Sequence, residues 1–207
     1  MSMIITWLGH SCFKLESEGY SIVIDPYADD FVPGLKKLRT SANFVLCSHQ
    51  HDDHNGTSSV SLVDENAPNP FSIRTMTTPH DDAGGTKRGM NKVHILEAGG
   101  VCAAHFGDIG CALEEEQFAE VGQLDVAMIP IGGYYTIGAR EAKELADALG
   151  VRIIIPMHYR AKNFGFPNIG ELSEYTRLCD DVVYYDGNSI EVDEKTKSQT
   201  AVFKYIP

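Results

Sequence analysis

Short apolar runs, each cut off by glycine, proline or a polar pair, fill the first half of the chain and predict strands. Ile4 to Leu8, Cys12 to Leu15 and Tyr20 to Ile24 form one series, broken by Gly9 and by the Ser17-Glu18-Gly19 turn. Asn43 to Cys47 reads as a short buried strand, and Phe71 to Met76 as another that ends at Thr78-Pro79-His80. Val93 to Leu96 and Val101 to Ala104, joined across Gly99-Gly100, predict a hairpin. The period changes in the last third. Ala142, Leu145, Ala146 and Leu149 recur at the spacing of one helix face, with Thr136 placed to open that helix and Gly150 to close it. Strands are expected on either side, at Asp125 to Ile131 and Val151 to Met157. Leu172, Tyr175, Thr176 and Cys179 predict a further helix. Val182 to Tyr185, Ser189 to Val192 and Ala201 to Tyr205 predict closing strands. Residues 26–42, 56–70 and the glycine-rich 81–89 read as loops, the last of them a loop over a site.

Composition narrows the class. A chain of 207 residues, 43% hydrophobic and free of low-complexity tracts, is expected to form a single domain over residues 1–207. No apolar run is long enough to span a bilayer, and the start lacks a basic segment followed by an apolar one. Five scattered cysteines, without a Cys-x-x-Cys pair, suit a reducing compartment, so a cytoplasmic location is expected. The net charge of −12 argues against a nucleic-acid surface. A small-molecule substrate is the expected partner, with no nucleic acid and no membrane; a homo-oligomer stays open.

One stretch concentrates the chemistry. His49, His51, Asp52, Asp53 and His54 fall within six residues, directly after the expected strand Asn43 to Cys47. Imidazole nitrogen and carboxylate oxygen are ligands of zinc and its first-row neighbours. In an extended chain His49 and His51 project from one side, whereas Asp53 and His54 diverge, so one run can serve two metal positions. Asp25, before Pro26 at a strand end, reads either as a turn residue or as the acceptor for the second N–H of a metal-bound histidine. His10 reads as a buried structural histidine or as part of a site. Arg88 and Asn91 are placed either to meet an anionic substrate or to be solvated.

The pattern His-x-His-x-Asp-His resembles the signature of the metallo-β-lactamase superfamily. More narrowly, the chain is similar to small stand-alone metal-dependent hydrolases that include ascorbate-6-phosphate lactonase-like proteins. Matching stretches are Thr6 to His10, Ile24-Asp25-Pro26, His49 to His54, Gly107-Asp108, Ile129 to Gly133 and Ile155 to Tyr159, in family order. The resemblance implies an α/β fold, the four-layer αββα sandwich. It implies that His49, His51 and His80 hold one metal, that Asp53, His54 and His158 hold a second, and that Asp108 bridges them. It favours the histidine-supporting role for Asp25. His105, near Asp108, is expected to be a supporting or substrate-facing histidine, and is grouped with Asp53 and Asp108 as catalytic.

The activity so implied is hydrolysis by a water activated between two divalent cations, directed at an ester, lactone or phosphodiester-type bond of a small and possibly anionic substrate. Zinc is the first expectation, with manganese or iron suited to the same donors. Asp53 is placed to shuttle a proton. Related di-iron oxygen reductases carry a glutamate where this chain has His51, so hydrolysis is favoured over an iron-dependent oxidoreductase. A non-catalytic metal-binding sensor is the other alternative. The segment Arg160 to Phe166 is expected to help define specificity.

Overall fold

The structure is a computed structural model that describes residues 1–64 and 66–207. The first three strands follow the alternation closely. β1 (Met3–Gly9), β2 (Cys12–Ser17) and β3 (Tyr20–Ile24) form an antiparallel meander in which Met3, Ile5 and Trp7 point inwards while Ile4 faces out. β4 (Thr40–Ala42) precedes β5 (Phe44–Leu46), which joins β3 in parallel. A 3-10 turn at Thr57–Ser59 leads to β6 (Val60–Leu62), the partner of β4. β7 (Ser72–Pro79), β8 (Met90–Ala98) and β9 (Val101–His105) are again antiparallel.

The chain then changes to parallel pairing. α1 (Glu115–Val121) precedes β10 (Val126–Pro130), α2 (Ala139–Leu149) and β11 (Ile153–Met157), with β9, β10 and β11 side by side. α3 (Leu172–Thr176), β12 (Val182–Tyr184), β13 (Ser189–Val192) and β14 (Gln199–Val202) complete it. The strand–helix–strand unit lies where the periodicity places it. Thr136 does not open its helix; Gly138 precedes the first turn, and the Thr136 hydroxyl donates to the Ile137 carbonyl. The helix expected through Cys179 stops at Thr176.

A five-stranded sheet, β13-β1-β2-β3-β5, packs against a seven-stranded sheet, β12-β14-β11-β10-β9-β8-β7. One apolar core joins them, with Ile5, Phe13 and Ile24 from the first and Val93, Ile95 and Ala103 from the second. β10 and β11 are buried throughout, because the core lies on one face and α2 on the other. The two-sheet α/β sandwich is therefore as expected, but its outermost layers are unequal. Helices cover the seven-stranded side. Among the described residues no α-helix covers the five-stranded side, where residues 26–42, β4 and β6 enclose a small core of Cys12, Val23, Tyr27, Val32, Leu38 and Val60. Pro26 and Pro33 deny that stretch amide donors a helix would use.

The alternation of strand directions has a chemical consequence. β1, β3 and β5 run the same way in one sheet, as do β7, β9, β10 and β11 in the other. Their C-terminal ends deliver His10, Asp25, the His49–His54 run, His80, Asp108 and His158 to one rim.

Candidate metal centre

Three of these strand-end residues leave the extended region abruptly. His10 (φ 51°), Asp25 (φ 51°) and His158 (φ 53°) adopt the left-handed conformation that L residues avoid. Each such residue costs about 1–3 kcal/mol and persists only where its surroundings enforce it. Burial of a single core Ile or Phe offsets roughly that much. The enforcing contacts are visible at His10, whose carbonyl accepts the Trp7 indole N–H at 2.9 Å and the His158 amide at 3.4 Å.

Asp25 organises the loop after β5. Because β3 and β5 are parallel neighbours, Asp25 and Ser48 emerge side by side. The buried Asp25 carboxylate accepts the Ser48 amide and hydroxyl, both at 2.6 Å, and pairs with His54 Nδ1 at 2.7 Å. Burial would raise this carboxyl, but His54 and His105 outweigh it and hold it down at about 2. An ionised acceptor requires His54 Nδ1 to carry the proton, which leaves the Nε2 lone pair free. The same reasoning extends one residue further. Ser48 gives its hydroxyl proton to Asp25, so the contact between Ser48 Oγ and His49 Nδ1 (2.9 Å) must be donated by the ring. His49 also presents Nε2 as a free lone pair. One aspartate thus sets two tautomers, the supporting role expected for Asp25.

The ligand-type atoms converge in overlapping groups, each with its atoms within 4.8 Å of one another: His49, His51 and His80; His10, Asp53, His54 and His158; and His49, His54 and Asp108. Asp108 lies between the first two. Its Oδ1 is 3.2 Å from His54 Nε2, and its Oδ2 is 3.2 Å from His158 Nε2 and 3.6 Å from His80 Nε2. Burial opposes ionisation of Asp108, yet His158 and His54 keep it well below the usual carboxylate range. His54 is the converse: burial alone would lower it, and Asp108, Asp53 and Asp25 raise it well above an ordinary imidazole. Burial and His54 lower His49 to about 3, and burial and His158 lower His10 to about 4 against the pull of Asp53.

Many of these atoms have no partner. His49 Nε2, His54 Nε2, His80 Nδ1, both ring nitrogens of His158 and Asp108 Oδ1 are buried without a hydrogen bond. Buried polar atoms are ordinarily satisfied, and each one left orphaned costs about 1–3 kcal/mol. Imidazole nitrogens and carboxylate oxygens converging in this way fit bound cations, and the donor set is the one that zinc, manganese and iron accept.

The other expected residues divide. His10 joins the group around Asp53, with Nε2 3.2 Å from Asp53 Oδ2. Its place directly after a strand ending in glycine was the available signal. His105 does not face substrate: it is fully buried, Nε2 donates to the Ser11 carbonyl at 2.8 Å, and Nδ1 accepts the Gly107 amide at 3.1 Å. With both nitrogens spent on backbone, it is a support and not a reacting group. Asn91 is also scaffold. It donates to the Phe106 carbonyl and accepts the Asp108 amide at 2.8 Å, which fixes the turn bearing Asp108. Gly107 (φ 53°) lies so close to Asn91 and Ser48 that any side chain there would collide with both.

A cavity of about 440 Å³ opens over His51, Asp53, His80 and Asp108, walled by Phe31, Tyr135 and Phe166, with Gln50, Asp52 and Arg88 also lining it. A larger one, about 760 Å³, lies beside residues 160–173 and contains none of the clustered histidines. The smaller cavity is the one joined to the chemistry, and its size suits a small ligand.

Residues 4–158 match the β-lactamase superfamily domain. The chain belongs to the metallo-β-lactamase superfamily, and within it to the UPF0173 metal-dependent hydrolases. A UPF0173 metal-dependent hydrolase of Methanoregula boonei is 30% identical over 187 residues, covering 76% of this chain and 82% of its own. A crystal structure from Thermotoga maritima, described as a candidate Zn-dependent hydrolase of the metallo-β-lactamase superfamily, has 36% identity and a TM-score of 0.77, covering 97% of this chain and 98% of its own. A metallo hydrolase of Ignicoccus hospitalis shares the fold at 23% identity and a TM-score of 0.68, over 94% of this chain and 100% of its own.

Proposed function

We propose that this protein hydrolyses an ester, lactone or phosphodiester-type bond of a small molecule with two divalent cations, zinc first among them. The observation that carries the reading is the convergence of ligand-type atoms from His49, His51, His80, Asp53, His54, His158 and Asp108, of which His49 Nε2, His54 Nε2, His158 Nε2 and Asp108 Oδ1 are buried without a hydrogen bond. His49, His51 and His80 would hold one cation, Asp53, His54 and His158 the other, with Asp108 between. Bound there, such a pair supplies a water acidified toward neutrality and Lewis acidity toward a departing oxygen.

The chain's own groups do the rest. Asp25 fixes the His54 and His49 tautomers, so both rings present Nε2. Asp53 takes up a proton and returns it, while the His10 Nε2–H, 3.2 Å away, steadies its Oδ2. Lactones belong in the first round of candidate substrates, because the motif order of the sequence also resembles ascorbate-6-phosphate lactonase-like proteins. Nucleic acid is not expected as a partner at −12 net charge; submicromolar, steeply salt-dependent binding of duplex DNA would contradict this. A cytoplasmic location accords with the scattered free cysteines, and no helix among the described residues is long and apolar enough to cross a membrane.

Elemental analysis after reconstitution tests the reading directly. Two ions per chain are expected, with hydrolysis lost on chelation and restored by zinc, manganese or iron. One ion or none would remove the two-metal reading. Dioxygen consumption by iron-loaded protein, with no hydrolysis, would move the assignment to an oxidoreductase.

A further inference from the structure

The cavity over the histidines contains a single cationic side chain among its described lining residues, Arg88. Among the described residues no carboxylate lies within ion-pair distance of it, whereas the adjacent Lys87 is paired with Asp82 at 2.6 Å. The Arg88 guanidinium carbon sits 5.6 Å from the centre of the Tyr135 ring. A guanidinium stacked on an aromatic face keeps its in-plane N–H groups available for a bidentate acceptor.

The loop bearing Arg88 is held in place despite its glycines. Asp81, 1% exposed, accepts the backbone amides of Ala83, Gly85, Lys87 and Arg88 at 2.8–2.9 Å. Four bonds to one carboxylate fold residues 81–88 around it and fix the Arg88 backbone beside the cavity. Tyr135 is set in turn against Phe166 (6.0 Å between ring centres), and Phe166 against Phe31 (6.0 Å). A charged fork at one side and an aromatic wall beside it define a recognition surface with two different demands.

We infer that Arg88 is the specificity-determining residue of this site, and that the substrate carries an anionic group, carboxylate or phosphate, remote from the scissile bond, with an apolar portion against Tyr135 and Phe166. The inference rests on the hydrolase reading for its substrate class. Asp81 is a positioning residue that acts through Arg88.

The test uses metal-loaded protein and two matched pairs of probes. Mono(4-nitrophenyl) succinate and 4-nitrophenyl acetate report turnover. N-phenylsuccinamate and acetanilide, which lack the labile ester, report binding by calorimetry. The native protein is expected to favour the anionic member of each pair. Arg88→Gln should reduce that preference about 10–100-fold, the usual worth of a charge-assisted hydrogen bond, chiefly through KM, with metal content and melting temperature as controls. Lys87→Gln removes a charge from the same loop and should leave the preference intact. Equal binding of both anilides, or a preference that survives Arg88→Gln, overturns the assignment. If no ester, lactone or phosphodiester is turned over by the two-metal protein, the hydrolase reading fails separately, and the anilide pair still decides the anion subsite. Anionic probes that differ only in carboxylate against phosphate tell which anion the fork prefers.

Discussion

The two groups of ligand-type side chains are built from similar atoms and differ in nearly everything else. His10, Asp53, His54 and His158 are all buried, include a carboxylate, and draw on three of the elements of the rim. His49, His51 and His80 are three imidazoles without a carboxylate, and His51 is exposed to the cavity. The closed group therefore offsets part of a cation's charge with its own carboxylate and is buried throughout. Neither holds for the open group. A strongly held ion and an exchangeable one are the expected result, with the exchangeable one facing the substrate.

The most severe disruption of this arrangement is at the residue that lies between the two groups. Asp108→Ala should leave protein poor in metal and inactive, whereas His105→Ala, nearby but bonded only to backbone, should keep both ions and melt at lower temperature. Metal content alongside turnover distinguishes them. Tightly held ions in Asp108→Ala, with one lost from His105→Ala, would reverse the two roles.

Next in size is a contrast between the groups themselves. His51→Ala removes one of three ligands from the open group and should yield about one ion per chain, with at least a 10²-fold loss of rate. His10→Ala leaves Asp53, His54 and His158 in place and should retain two. If His10→Ala is the variant that holds one ion, His10 is a ligand and the closed group is larger than supposed. Graded chelation of the native protein should likewise pass through a one-metal form.

Asp25→Asn acts on both groups from behind. An amide cannot keep His54 and His49 in the required tautomers as an anion does, and metal affinity should fall about 10–100-fold. Competition with a coloured chelator measures it. An unchanged affinity would show that the strand ends alone orient the rings.

The smallest effect concerns pH. Burial would raise the Asp81 carboxyl, but the four amides hold it at about 2. A depressed carboxylate contributes stability that is present above its unfolded pKa, near 3.8, and is lost as pH falls toward 2. The 81–89 loop should keep constant amide protection from pH 5 to 9 and loosen only below about 4. Asp81→Asn should loosen it at every pH and weaken the anion preference. Loosening of the native loop near neutrality would mean that another group controls it.

The difference between local and distant information explains what the sequence reveals. The strands and α2 are legible because alternation and helical spacing are properties of neighbouring residues. The His49–His54 run is legible for the same reason. Asp25 was half legible, since its strand-end position is local but its hold on His54 depends on β3 and β5 pairing in parallel. Asn91 and Phe166 stood out in the sequence but their contacts did not, and Tyr135 carried no local signal, because their partners lie 13 or more residues away or across the cavity. Asp81 had one: an aspartate followed by small residues and glycines tends to bond the backbone ahead of it. Of the two readings of His105 the supporting one fits its backbone bonds, and the catalytic grouping does not, because proximity to Asp108 in sequence is not proximity to the cavity. The missing helical layer was foreshadowed by its prolines.

The irregular layer over the five-stranded sheet has a bearing on how such an enzyme diverges. Gly34 sits so close to the Asn163 carbonyl that a methyl group would overlap it, and the Pro33 carbonyl accepts the Gly165 amide at 2.9 Å. The segment that brings Phe166 to the cavity mouth thus takes its position from a loop that contributes no metal ligand. Insertions or exchanges within residues 26–42 would re-aim that aromatic wall and leave the histidines untouched. Descendants of one scaffold could in this way drift between substrates through a part of the chain under little obligation to the chemistry.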